Sequence, residues 1–133
     1  VPSPSQPLHP GPLLIVDDRV EVRSALTRFF ELWFQRVYAA ASPREASSIL
    51  QEHAPTVLLC DYWLGEAFPP GTELIAAWRK RFPCLQRAVL MTGTRASALD
   101  DVPGVDAVFQ KPLDLRVVTP FLLGQTDEVA SEG

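Results

Sequence analysis

The chain has 133 residues, 47% of them apolar, and a net charge of −4 from 16 acids and 12 bases. That length suits one domain with short tails and a packed core. The charges are scattered, with no basic stripe for direct nucleic-acid binding. No apolar run approaches the ~20 residues that span a bilayer, and no secretory leader is visible, so a cytoplasmic domain without membrane contact is expected.

Residues 1–12 hold five prolines together with Ser, Gln and Gly, the composition of a stiff linker. The chain opens on Val1 rather than Met and has no second domain, which suggests a piece of a longer protein. Leu13-Leu14-Ile15-Val16 reads as a buried strand ended by two aspartates. Helical spacing follows from Val20 to Trp33, with Val22, Leu26, Phe29, Phe30 and Trp33 on one stripe. Arg36 to Ala40 is a short second strand. Ser42-Pro43-Arg44-Glu45 starts a helix: Ser42 caps, Pro43 suits the first helical position and Glu45 completes a capping box. Ala46, Ile49 and Leu50 form that helix's inner face.

Val57 to Cys60 is a third strand, again ended by an aspartate. Thr72 to Phe82 is a third helix with Leu74, Ile75, Trp78 and Phe82 inward. Ala88 to Met91 is a fourth strand, ended by Thr92. Ala96 to Asp101 is a short helix, and Ala107 to Phe109 a fifth strand. Asp114 caps a last helix from Leu115 to about Leu123, and residues 124–133 form a polar tail. Cys60 and Cys84 lack a CxxC partner and read as reduced thiols. His9 and His53 read as ordinary surface residues.

Five apolar strands alternating with five helices define an α/β fold with a parallel sheet covered on both faces. Such sheets bind ligands beyond the carboxyl ends of their strands. Asp17 and Asp18 follow the first strand, Asp61 the third, Thr92 the fourth, and Lys111 with Pro112 the fifth. Three carboxylates gathered at one edge repel one another unless a hard cation neutralises them, and an open oxygen site favours Mg²⁺. A carboxylate is also a competent nucleophile toward phosphorus. Lys111 and Thr92 then supply an ammonium and a hydroxyl for the oxygens of a phosphoryl group.

The segments Ile15-Val16-Asp17-Asp18, Leu59-Cys60-Asp61-Tyr62, Met91-Thr92-Gly93 and Gln110-Lys111-Pro112, in this order and spacing, resemble the receiver domains of two-component response regulators. The resemblance covers roughly residues 12–123. It implies a doubly wound, flavodoxin-like fold with a five-stranded parallel sheet in the order 2-1-3-4-5, flanked by five helices. It implies that Asp61 is the phosphoacceptor and that Asp18 binds Mg²⁺ directly. Asp17 would bind it through water or serve as a support, and the backbone carbonyl of Trp63 would be a further ligand. Thr92 resembles the switch hydroxyl, and Lys111 the lysine that pairs with the phosphoryl group. Pro112 resembles a proline often preceded by a cis peptide. The implied partner is a histidine kinase or a histidine phosphotransfer domain, and a homodimer is left open. The lead-in and the Asp61-Tyr62-Trp63-Leu64 segment look like receivers attached to hybrid sensor kinases.

Four features depart from the family pattern. Val108 stands where Tyr or Phe is usual, and Phe109 beside it should point to the opposite face. Gly71 comes about two residues late, which lengthens the loop 66–70. Trp63 is large enough to shield an acyl phosphate from water. Pro120 falls inside the last helix and should kink or shorten it, altering the face of the fourth and fifth helices. Two other functions compete with the phosphoacceptor. A haloacid-dehalogenase-like phosphatase would want an acid two residues after Asp17, where Arg19 stands. A docking module that needs no phosphate is the reading that Val108 and Pro120 keep alive.

Overall fold

The computed structural model describes residues 7–93 and 102–125. Its five strands are β1 (Leu13–Val16), β2 (Val37–Ala40), β3 (Val57–Asp61), β4 (Arg87–Thr92) and β5 (Ala107–Gln110). Its helices are α1 (Val20–Phe30), α2 (Pro43–His53), α3 (Gly71–Arg81) and α4 (Leu115–Leu122). All strand pairs are parallel, in the order β2-β1-β3-β4-β5. The helix expected over Ala96–Asp101 lies outside the described residues.

Strand side chains alternate between faces, and the core divides accordingly. Leu14, Val16, Leu58, Cys60, Ala88 and Leu90 pack with α2 and α3 through Leu50, Ile75 and Trp78. Leu13, Ile15, Val57, Leu59, Val89 and Met91 pack with α1 and α4 through Leu26, Phe30, Val118 and Leu122. Each strand is apolar at successive positions because both of its faces are covered. Cys60 is buried and Cys84 half-buried, both as free thiols.

The Ser42 cap forms as expected. Its Oγ accepts the Glu45 N–H at 3.3 Å, and Glu45 reaches back to the N–H of Ala41, one residue before the cap, at 2.7 Å. Trp78 is buried, and its indole N–H donates to Ser47 Oγ at 3.2 Å.

Helix α1 ends at Phe30, short of the expected Trp33. Leu32 and Trp33 donate to the carbonyls three residues back, Phe29 and Phe30, so the last turn tightens out of the α pattern. Trp33 still packs against the α1 side of the core, and its carbonyl accepts the N–H of His9 at 2.8 Å. His9 in turn accepts from Gln35 N at 2.8 Å and lays its ring on Phe34, with centroids 4.9 Å apart. The described part of the Pro-rich lead-in is thereby fastened to the end of the sheet opposite the strand-end aspartates. Helix α4 ends at Leu122, one residue early, with Pro120 in its last turn. Pro120 has no N–H to return to the Arg116 carbonyl. The chain leaves the helix through Leu123 N to Thr119 O and Gln125 N to Pro120 O.

Candidate functional site

Strand register brings the acids together. Val16 is paired with Cys60, so the next residues, Asp17 and Asp61, leave neighbouring strands side by side. Side-chain alternation puts both on the face of Leu13, Ile15, Val57 and Leu59, toward α1 and α4. One oxygen from each of Asp17, Asp18 and Asp61 lies within 4.8 Å of the others. Lys111 follows β5 on the same face and joins them. Its Nζ is 2.9 Å from Asp17 Oδ2 and 3.3 Å from Asp61 Oδ2. The Lys111–Pro112 peptide is cis, as the resemblance implies; Gly11–Pro12 is cis as well, which the sequence did not suggest.

The three carboxylates differ in surroundings. Asp17 is fully buried, and each of its polar atoms has a partner. Its N–H donates to Ala40 O at 3.1 Å, and Oδ1 accepts the Arg19 N–H at 2.9 Å. Oδ2 accepts from Lys111, and the carbonyl accepts from Arg23 Nη1 at 2.9 Å. Asp18 is exposed and makes no hydrogen bond or ion pair with the described residues. Asp61 is 7% exposed. Burial raises its carboxyl above the usual carboxylate range. The Lys111 charge opposes that rise, and the Asp17 and Asp18 charges reinforce it. Burial pulls the Lys111 ammonium down, but its hydrogen bond to Asp17 and the charges of Asp61 and Asp17 outweigh that and leave it above the ordinary lysine value. Burial, with Asp61 and Asp17 nearby, pushes the Cys60 thiol far up, so it stays neutral.

Thr92 is the last residue of β4, fully buried, and its carbonyl accepts the Lys111 N–H at 2.7 Å. Alternation puts it with Leu90 and Ala88, on the α2–α3 face, the same face as Val108. Phe109 packs on the other face, edge-on to Phe121 with centroids 5.8 Å apart. No aromatic ring therefore stands beside Thr92 on β5. Trp63 lies at the rim, 52% exposed.

The loop after Asp61 is anchored at both ends. Tyr62 N donates to Met91 O and Tyr62 O accepts from Gly71 N, both at 2.7 Å. A Cβ on Gly71 would run into the Asp61 carbonyl and come within 2.9 Å of Leu90 Cδ1. Gly71 thus lets α3 start directly against the end of β3, which is why a glycine closes the lengthened loop. The sequence reading missed Arg23. Its one local signal was a positive charge close to the start of a helix, where the macrodipole disfavours it.

A charge balance of three carboxylates against one ammonium, with hard oxygen donors and one exposed carboxylate, fits a small divalent cation. A doubly wound parallel sheet with a polar pocket beyond the carboxyl ends of its strands defines the flavodoxin-like class of α/β domains. Within that class, residues 13–119 match the family described as the response regulator receiver domain, and the chain belongs to that family. No curated relative matches the sequence.

Among solved structures, a receiver domain protein (CheY-like) from Methanospirillum hungatei JF-1 is similar at a TM-score of 0.76 and 25% identity, over 93% of this chain and 99% of that one. A Burkholderia pseudomallei response regulator, solved with a phosphorylated aspartic acid, a calcium ion and citrate, gives 0.77 and 24%, over 92% of this chain and 72% of that one. Salmonella enterica RcsB, bound to the promoter rprA in the presence of phosphomimetic BeF₃⁻, gives 0.74 and 20%, over 93% of this chain and 64% of that one. No helix among the described residues is long and apolar enough to cross a membrane.

Proposed function

We propose that this receiver domain accepts a phosphoryl group from a phosphohistidine onto Asp61. The observation that carries the proposal is a nearly buried Asp61 carboxylate clustered with Asp17 and Asp18 and 3.3 Å from the Lys111 ammonium. An oxygen of Asp61 attacks phosphorus, a P–O bond forms, and the P–N bond to the donor imidazole breaks. Lys111 holds the incoming phosphoryl oxygens and offsets their charge. The Thr92 hydroxyl turns toward the modified site as the switch. Asp18, Asp61 and the Trp63 carbonyl would hold Mg²⁺, with Asp17 as a support or as a ligand through water. When bound, Mg²⁺ supplies charge neutralisation at the crowded oxygens. That a Burkholderia pseudomallei response regulator of the same fold was solved with a phosphorylated aspartic acid and a calcium ion supports this reading.

The partner in this proposal is a cytoplasmic histidine kinase or histidine phosphotransfer domain; the Pro-rich residues 1–12 and the Asp61-Tyr62-Trp63-Leu64 segment favour the receiver of a hybrid sensor kinase over one from a transcriptional regulator. Val108 favours a second reading, a docking module that needs no phosphate, because the β5 residue on the Thr92 face is Val108 while the aromatic Phe109 faces the other way. Intact mass after incubation with phosphoramidate separates the two. The phosphoacceptor reading predicts a gain of one phosphoryl group (~80 Da) in Mg²⁺ and none in EDTA. No adduct at any time point would favour docking alone.

A further inference from the structure

We infer that Arg23 is a positioning residue for the acidic site, holding the turn that presents Asp18. The inference rests on the phosphoacceptor reading of that site. The Arg23 guanidinium donates to the Asp17 carbonyl at 2.9 Å; on the other side of Asp18, the first backbone bond of the helix runs from the Arg23 N–H to the Arg19 carbonyl at 3.0 Å, whatever the side chain. The main chain is therefore held on both sides of Asp18, whose carboxylate has no hydrogen bond or ion pair of its own among the described residues. The other partners of Asp17 are main-chain groups and Lys111. Among the described residues, Arg23 is the α1 side chain that hydrogen-bonds Asp17.

The placement has a local penalty. Arg19, at the N-cap of α1, makes no side-chain cap, and Arg23, the fourth residue of the helix, adds a positive charge close to its start, where Glu21 is the acidic residue of the first turn; the macrodipole disfavours that charge. Departures from local preference of this kind gather where function requires them. Side chains that orient metal ligands from behind typically set metal affinity by roughly 10–100-fold.

The test is an Mg²⁺ titration of the full chain by calorimetry, with phosphoramidate loading measured across the same Mg²⁺ range. Arg23→Gln should weaken Mg²⁺ binding roughly tenfold or more and raise the Mg²⁺ needed for half-maximal loading, with the loading rate at saturating Mg²⁺ little changed. Melting in EDTA should fall by no more than the few degrees that one lost hydrogen bond costs. Arg23→Lys, which keeps one donor on a long stem, should recover part of the affinity. Parental Mg²⁺ affinity in Arg23→Gln overturns the inference. Should Arg23→Gln fail to fold, Arg23→Lys decides: weaker Mg²⁺ binding at a parental melting temperature supports the role, and parental affinity overturns it. A parent chain that itself ignores Mg²⁺ overturns the reading of the site, and the inference falls with it.

Discussion

Lys111→Met tests how the acidic pocket is held when no cation is added. The ammonium lies 2.9 Å from Asp17 and 3.3 Å from Asp61. At an effective dielectric of about 20, each attraction is roughly 5 kcal/mol before desolvation is counted. The side chain is 25% exposed, so water screens both pairs, and removing the ammonium also returns its own desolvation penalty. Breaking a buried pair from one side leaves the other charge uncompensated and destabilises by about 3–5 kcal/mol. Discounting for exposure gives a net loss of about 2–3 kcal/mol, or roughly 10 °C in melting temperature for a domain of this size. Methionine keeps much of the stem packing, so the loss is assigned to charge. The assay is urea denaturation in EDTA at neutral pH and low salt, for Lys111→Met, Asp61→Asn and the double variant. Removing the Asp61 charge should relieve much of the Lys111→Met loss, because the surviving carboxylates repel less. A Lys111→Met chain within about 0.5 kcal/mol of the parent, or a loss that Asp61→Asn leaves untouched, would refute the account.

Asp61→Asn alone should stabilise the metal-free protein at neutral pH. Its carboxyl is raised by burial, so the stability it contributes is present below the ordinary carboxylate value and is lost as pH rises through the higher folded value. Denaturation curves for variant and parent should separate at neutral pH and converge in acid; equal stability across the range would count against the burial argument. If the half-exposed Trp63 indole shields an acyl phosphate on Asp61, Trp63→Asn should shorten the lifetime of the phosphorylated form severalfold; a lifetime unchanged in a mass-resolved decay would remove that role. His9 accepts the Gly11 N–H at Nδ1 over 2.9 Å, and burial, with Arg87 nearby, holds its imidazole below the ordinary value. The contribution of neutral His9 is present above about pH 6.5 and fades as pH falls through the lower folded value. The protection factors of the residue 9 and 11 amides, each taken against the intrinsic rate at that pH, should therefore fall in mild acid, and His9→Gln should flatten that dependence; pH-independent protection in the parent would contradict it.

The sheet was legible because its strands are apolar runs of strand length, bounded by Asp, Pro and Ser, and a strand buried on both faces has no other pattern to show. The pocket was legible for a related reason. A residue that ends a parallel strand lands on the ligand edge whatever the loops do, so Asp17, Asp61 and Lys111 could be placed without knowing any tertiary contact. The end of α1 was misjudged because Trp33 keeps the helical stripe although the backbone has left the helix: packing continues where hydrogen-bond geometry does not. The fastening of His9 depends on main-chain groups of Trp33 and Gln35, which composition does not report. Arg23 was missed for the same reason, since it acts on a carbonyl. Gly71 could be seen as late but not explained, because its role depends on a close approach of α3 to the end of β3.

The central claim is that Asp61 itself carries the phosphoryl group. Borohydride reduction of the phosphoramidate-treated chain, followed by peptide mass mapping, tests it most directly, because hydride converts an acyl phosphate to the alcohol and releases phosphate. The account predicts homoserine at position 61 alone, dependent on Mg²⁺ during loading and absent from Asp61→Asn. A chain that gains the mass of a phosphoryl group yet shows reduction at another residue, or none at position 61, would contradict it.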